Sequence, residues 1–147
     1  MSIVQTQTTS FKAELYQGIH DLTTDVIKIA LYTASADLNE ATTIYSSTNE
    51  VVASGYSAGG SILTPITVAS SGYTAYVGFP NVSWTAALTA RCALIYNVTQ
   101  GNKSVAVLDF GSDKTSTTTF TITTAPAAVL PRMVSKVKFL PTVVTKF

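Results

Sequence analysis

Residues 91–110, RCALIYNVTQGNKSVAVLDF, determine how the rest of the chain is interpreted. Two apolar runs, residues 92–96 and 105–110, flank a polar segment that contains Gly101. Runs rich in Val, Ile and Tyr around such a segment are typical of two antiparallel strands joined by a hairpin loop. Because both runs are almost continuously apolar, we expect central strands that are buried on both faces.

Short β-prone runs recur on both sides of this hairpin. Residues 26–33 and 133–140 alternate between apolar and polar side chains, and the alternation in 26–33 predicts a half-buried strand. Pro65 interrupts the strand predicted at 61–69, and residues 111–116 are predicted to form a loop. The spacing of runs and turn signals predicts an all-β, single-domain β-sandwich or jelly-roll-like barrel of about eight strands.

One short N-terminal helix is predicted, and the single domain spans residues 1–147. Ser10 is suited to cap the helix, and Gly18 is suited to end it, because glycine readily takes the left-handed conformation. The apolar residues at helical spacing are Phe11, Leu15, Ile19 and Leu22. Residues 1–9 are expected to form an N-terminal arm, and residues 141–147 a C-terminal tail.

The chain carries few charges and many hydroxyl groups. It has 9 basic and 8 acidic residues among 147, well below the usual share of about a quarter. Ser and Thr together number 39. Hydroxyls cost less to desolvate than ions, so such a surface can be buried against neighbouring molecules. An ordinary β domain with a hydroxyl-rich surface fits the composition equally well.

The charges are distributed unevenly along the chain. Residues 1–113 hold all eight acids and four bases, whereas residues 114–147 hold five bases and no acid. The five are Lys114, Arg132, Lys136, Lys138 and Lys146. A basic end can dock on a like neighbour, an acidic lattice or nucleic acid. These bases are too sparse for a nucleic-acid surface, so nucleic acid is not a predicted partner.

Neither a disulfide nor a membrane anchor is predicted. Cys92 is the only cysteine, and it lies within an apolar run, where a buried and inert thiol is expected. The N-terminus lacks the charged and apolar regions of a signal peptide. No apolar run approaches the roughly 20 residues of a membrane helix.

Residues 55–59, GYSAG, match the nucleophile elbow of serine hydrolases. That motif requires a helix after the serine and a histidine later in the chain. Here a strand is predicted after Ser57, and the only histidine, His20, precedes it. We therefore interpret the match as a glycine-rich turn.

Other chemical motifs are equally incomplete. Residues 109–111 spell the DFG tripeptide of kinases, but no other kinase element is present. Asp109 and Asp113 are too few for a calcium cage and are expected to cap a loop. His20 is expected at the surface, and with one distant cysteine it cannot build a zinc site. No catalytic residue, metal ligand or cofactor is predicted, so the chain is not expected to be an enzyme.

Four segments carry a family resemblance: 11–15 (FKAEL), 26–33 (VIKIALYT), 49–60 (NEVVASGYSAGG) and 91–114 (RCALIYNVTQGNKSVAVLDFGSDK). They contain, in order, F-K-x-E-L, A-L-Y-T, G-Y-x-A-G-G, A-L-I-Y-N and V-x-D-F-G-S-D-K. This ordered set resembles a family of small virion proteins of tailed bacteriophages and covers most of residues 10–115.

The resemblance implies a non-enzymatic structural part of the virion, assembled in the host cytoplasm. A capsid decoration (cement) protein is the first expectation, and a tail or head-fibre component is the second. A host-surface carbohydrate-binding module and, last, an enzyme acting through Ser57 are the alternatives. The expected partners are the chain itself, as a homotrimer, and the major capsid protein or another virion protein. The predicted interface residues are Arg132, Lys136, Lys138, Lys146 and Trp84, the last as a core or interface anchor.

Overall fold

The structure is a computed structural model that describes residues 2–123, 137–139 and 144–146. In chain order the elements are β1 (Thr6–Gln7), α1 (Thr9–Tyr16), β2 (Ile27–Tyr32), β3 (Ser61–Ile62), β4 (Thr67–Ser71), β5 (Thr74–Gly78), β6 (Val82–Trp84), β7 (Leu88–Asn97), β8 (Lys103–Ser116), β9 (Phe120–Thr123), β10 (Val137–Phe139) and β11 (Val144–Lys146). They form a five-stranded sheet and two three-stranded sheets. The predicted all-β class with one short helix is confirmed.

Strands β7 and β8 form the central hairpin that the sequence predicts. They pair antiparallel along their length, with Leu94 opposite Val107, and their apolar residues are buried. The prediction of a loop at residues 111–116 is wrong, because these residues continue β8. Strand β7 already begins at Leu88, which pairs with Ser116 and so extends the ladder.

Strand β2 lies inside the five-stranded sheet, whose order is β1-β8-β7-β2-β3. Its predicted half-buried character is wrong, because Ala30 and Tyr32 are as buried as Ile29 and Leu31. The segment 34–49 covers the second face of the sheet. It contributes apolar side chains to a second, smaller core, whose members include Ala30, Tyr32, Ala36, Leu38, Leu94 and Tyr96.

The N-terminal residues predicted as an arm lie along the sheet. Thr6 pairs with Val107 in β8, so β1 forms one edge of the sheet. The helix begins at Thr9 rather than after Ser10, because the Thr8 hydroxyl accepts the hydrogen bond from the Phe11 amide. Gly18 follows the helix end with a φ of 69°, as predicted.

The other two sheets have the orders β10-β5-β4 and β11-β9-β6. Strand β10 runs parallel to β5, and β11 runs antiparallel to β9. Two pieces of the basic end are therefore strands, one of them within the predicted tail at 141–147. The main core joins α1 to the strands of all three sheets, and its members include Phe11, Ile29, Val77, Trp84, Ile95, Leu108 and Phe120.

Candidate interaction surface

The GYSAG segment forms a loop. Its tyrosine, Tyr56, makes the hydrogen bonds that fix the loop in place. Strand β3 follows it, not the helix that a nucleophile elbow requires. Ser57 is exposed. The Tyr56 hydroxyl donates to Glu50 Oε1 at 2.7 Å and accepts from the Leu31 amide at 2.8 Å. The motif thus holds the loop against β2.

Two glycines let this loop approach neighbouring backbone closely. A Cβ atom on Gly60 would lie 1.7 Å from the Ile29 carbonyl oxygen, and one on Gly55 would lie 2.2 Å from that of Thr85. Both have positive φ angles, which side chains rarely adopt. Gly55 of the motif and Gly60, which follows it, are therefore explained by packing.

Glu50 is buried at the centre of a hydrogen-bond network. Its Oε2 accepts from the Tyr45 hydroxyl, and its Oε1 accepts from the Gly59 amide as well as from Tyr56, all at 2.7 Å. The Tyr96 hydroxyl donates to the Gly59 carbonyl at 2.7 Å. Burial of a carboxylate is tolerated here because its oxygens are paired.

The tyrosines of this network remain protonated. Burial, assisted by the Glu50 carboxylate, raises the pKa of Tyr45 and Tyr56 far above the ordinary value. The same two causes raise the pKa of Tyr96 to about 12. The phenols therefore act as hydrogen-bond donors and not as bases.

His20, expected at the surface, is instead fully buried beside the helix, so that expectation is wrong. The Asn97 amide donates to Asp25 at 2.7 Å and lies 3.0 Å from His20 Nδ1, which must accept from it. The His20 proton then lies on Nε2, 3.6 Å from Glu14 Oε1. Glu14 also pairs with Lys103 at 2.8 Å. The cluster ties the helix to the central hairpin.

Asp109 and Cys92 also have surroundings that indicate a structural role. Burial would raise the pKa of Asp109, but the Gly111 amide and the Arg91 guanidinium outweigh it and hold the pKa below the usual value. Burial raises the pKa of the Cys92 thiol to about 12, so the thiolate is not formed at neutral pH. Within residues 2–123, 137–139 and 144–146, no three His, Cys, Asp or Glu residues gather as metal ligands would.

Three of the five predicted interface residues, Trp84, Lys138 and Lys146, lie in the part of the chain that the structure describes. Trp84 is only 7% exposed and lies in the main core, with its ring 5.8 Å from Tyr56, so it has the core role of the two predicted. Lys138 and Lys146 lie in β10 and β11, which belong to different sheets. Arg132 and Lys136 lie outside the described residues.

Charge is absent from one large part of the chain. No charged residue and no histidine occurs between Glu50 and Arg91, or between Lys114 and Arg132. These runs supply β3 to β6 and β9. Ser and Thr are the commonest exposed residues between Glu50 and Arg91. Low total charge predicts a hydroxyl-rich surface, and the spacing of the charges shows which strands contain no charge of their own.

Two cross-strand hydroxyl pairs are formed by residues of these charge-free runs. Ser83 Oγ lies 2.8 Å from Thr121 Oγ1, and Thr89 Oγ1 lies 2.8 Å from Thr115 Oγ1. Ser83, Thr89 and Thr115 are exposed. A hydroxyl can donate one hydrogen bond and accept two, so each pair keeps capacity for a partner.

The hairpin formed by β4 and β5 lies in the same uncharged part. Val77 at its base is buried in the core, but Thr67 and Val68 are both exposed. Because successive strand residues point to opposite faces, β4 exposes side chains on both of its faces there, although Val77, the partner of Val68 in β5, is buried. Tyr73 at its turn is 78% exposed.

No family model, curated protein or solved structure matches this chain. Within the described part of the chain, no helix combines the length and apolarity that a bilayer span requires.

Proposed function

We propose that the chain is a structural protein of a tailed-bacteriophage particle and that its specific role is decoration of the capsid lattice. The observation that carries the proposal is that β4 to β6 and β9 contain no charged residue and are rich in Ser and Thr, with Lys138 and Lys146 on the neighbouring strands β10 and β11. Charged side chains are depleted from the cores of protein interfaces. A surface of this kind loses little free energy when a neighbouring subunit covers it.

The positions of the family-like motifs support the same role. FKAEL lies in α1, ALYT in and just after β2, ALIYN in β7 and VLDFGSDK in β8. The GYSAGG loop packs on β2 through Tyr56 and Gly60. The functional groups in these segments, such as Glu14 and Glu50, are used in internal contacts. The motifs therefore stabilise the fold, and we assign the proposed binding to the surface of the domain.

A repeating lattice suits weak and uncharged contacts. A specific interface needs only about 800 Å² from each partner. That area is a small part of the 7442 Å² that the chain exposes. Attachment at one point makes the next contact effectively intramolecular, so modest contacts add up on a shell of identical sites.

A carbohydrate-binding role is the second candidate, and two exposed aromatic rings favour it. Tyr16 is 92% exposed and Tyr73 is 78% exposed. Tyrosine combines an apolar ring with a polar tip, and such rings can stack on sugars. Binding to host-surface glycans that is lost in Tyr16→Ala or Tyr73→Ala would favour this role over decoration.

Copy number in purified particles tests the proposal. Hundreds of copies, measured by gel densitometry against the major capsid protein, are expected for decoration. A handful would indicate a tail or fibre component, and none would overturn the virion assignment.

A matched pair of substitutions tests the surface itself. Ser83→Glu places a charge on β6, within the proposed surface, whereas Ser35→Glu places one on an exposed residue of the segment 34–49. Because burial of an unpaired charge costs several kcal/mol, we expect Ser83→Glu to reduce particle binding by about tenfold or more. Ser35→Glu should bind as the wild type does, and equal binding by both variants would remove this surface as the contact.

A further inference from the structure

Strand β4 is the outer strand of the sheet β10-β5-β4. Its inner edge pairs with β5 from Thr67 to Ser71 without a register shift. Of the residues that the structure describes, none pairs with its outer edge. An edge strand of this kind presents backbone N–H and C=O groups that can template another strand.

Among the residues that the structure describes, this edge has none of the devices by which monomeric proteins protect their edges. Such devices are charged side chains, prolines, bulges and covering segments. Residues 67–71, TVASS, contain no charge and no proline, and their pairing with β5 has no bulge. Val68 is 53% exposed and Ser70 is exposed on the same face. A regular, neutral and open strand is suited to pairing.

We propose that β4 pairs antiparallel with β4 of a second copy of this chain, across a two-fold axis centred near Ala69. This register places Val68 of each copy opposite Ser70 of the other. A two-fold contact requires a surface that is complementary to itself. The strand meets that requirement in its own sequence, because TVASS contains no charged residue that would face its copy.

The pairing joins two three-stranded sheets into one continuous sheet. It satisfies backbone groups on the outer edge of β4 in each copy and covers Val68, which is 53% exposed in the single chain. The pairing also gives β4, the outer strand of its three-stranded sheet, a second neighbour. The contact does not depend on the proposed place in a virion.

The test uses the full chain in solution, with light scattering after size exclusion over a wide concentration range. The wild type should have twice the 15.5 kDa mass of the chain and should dissociate on dilution. Ser70→Lys brings two like charges together near the axis and should have the mass of one chain. Ser112→Lys is the matched control at an exposed position in β8 and should behave as the wild type.

Hydrogen exchange at the β4 amides separates pairing from misfolding. We expect the β4 amides that face away from β5 to lose protection on dilution of the wild type and in Ser70→Lys, while the β7 amides stay protected in both. A wild type that is monomeric at every concentration would overturn the proposal. So would a closed trimer, a dimer that Ser70→Lys leaves intact, or β4 amides equally protected in the monomer. None of these outcomes changes the copy number in particles, which tests the virion role separately.

Discussion

The hydroxyl of Tyr56 donates a 2.7 Å hydrogen bond to Glu50, which lies six residues earlier in the chain. The same hydroxyl accepts from the Leu31 amide in β2. One phenol therefore joins a loop, a buried carboxylate and a central strand. This explains a glycine-rich motif that resembles a hydrolase signature, and it makes the motif testable through stability.

Glu50→Ala should destabilise the fold by about 3 kcal/mol. The substitution removes an acceptor of three hydrogen bonds and leaves the Tyr45 and Tyr56 hydroxyls to find other partners in a buried site. Urea unfolding measures the loss. Glu40→Ala is the control at an exposed glutamate and should change the free energy of unfolding by less than about 0.5 kcal/mol.

Substitutions of two neighbouring residues in the GYSAG loop, Tyr56 and Ser57, should change the free energy of unfolding by different amounts. Tyr56→Phe loses the bonds to Glu50 and Leu31 and should cost about 1–2 kcal/mol. Ser57→Ala removes an exposed hydroxyl and should change stability by less than about 0.5 kcal/mol. Ester hydrolysis by the wild type that Ser57→Ala abolishes would contradict the structural interpretation of the motif.

Gly60→Ala should be among the most destabilising single changes, at more than about 3 kcal/mol. The new Cβ would overlap the Ile29 carbonyl oxygen, and a φ of 76° already disfavours a side chain. Gly18→Ala is a close control, because its φ is 69° and no atom lies within 4 Å of the added Cβ. Only the backbone cost of about 1–2 kcal/mol is expected there. Equal losses in thermal unfolding would show that packing at Gly60 is unimportant.

Stability should fall in acid partly through Asp25. Burial raises its pKa, but hydrogen bonds from Asn97, the Asp21 amide and Gln100 outweigh burial and hold the pKa below the ordinary 3.8. The unfolded chain then takes up a proton at higher pH than the folded chain does. The stabilisation is therefore complete above the unfolded pKa of about 4 and is lost as the pH falls through the folded pKa.

The pH series needs two variants. In urea unfolding from neutral to low pH, Asp25→Asn should start less stable and lose less stability in acid than the wild type. Asp113→Asn, at an exposed carboxylate, should follow the wild-type curve. A curve for Asp25→Asn parallel to that of the wild type would show that Asp25 does not contribute to the loss of stability in acid.

Truncation after Leu130 should destabilise the fold as well as remove basic charge. It deletes β10 and β11, which pair with β5 and β9. At about 1 kcal/mol for each hydrogen bond, we expect a loss on the order of 3 kcal/mol in the free energy of unfolding. The double variant Lys138→Gln, Lys146→Gln removes charge but keeps both strands. If truncation weakened attachment without any loss of stability, the basic end would serve docking alone.

The central hairpin and the all-β class could be predicted because they depend on local pattern. Apolar runs around Gly101 indicate two strands whatever surrounds them. The burial of His20 could not be predicted, because its partner Asn97 lies 77 residues away. The second buried face of β2 was equally hidden, since its cover, the segment 34–49, has no regular strand pattern.

By itself, the sequence determined the strand-rich fold, the position of the main hairpin, the inert thiol of Cys92 and the low charge of the surface. These follow from residue type and spacing, which act over a few positions. Only the tertiary structure decided that Trp84 is a core residue, that Tyr56 and Gly60 hold a loop on β2, and that β4 has an outer edge left unpaired by the described residues. Those outcomes depend on which distant segments meet, and contacts of that kind have no local pattern in the chain.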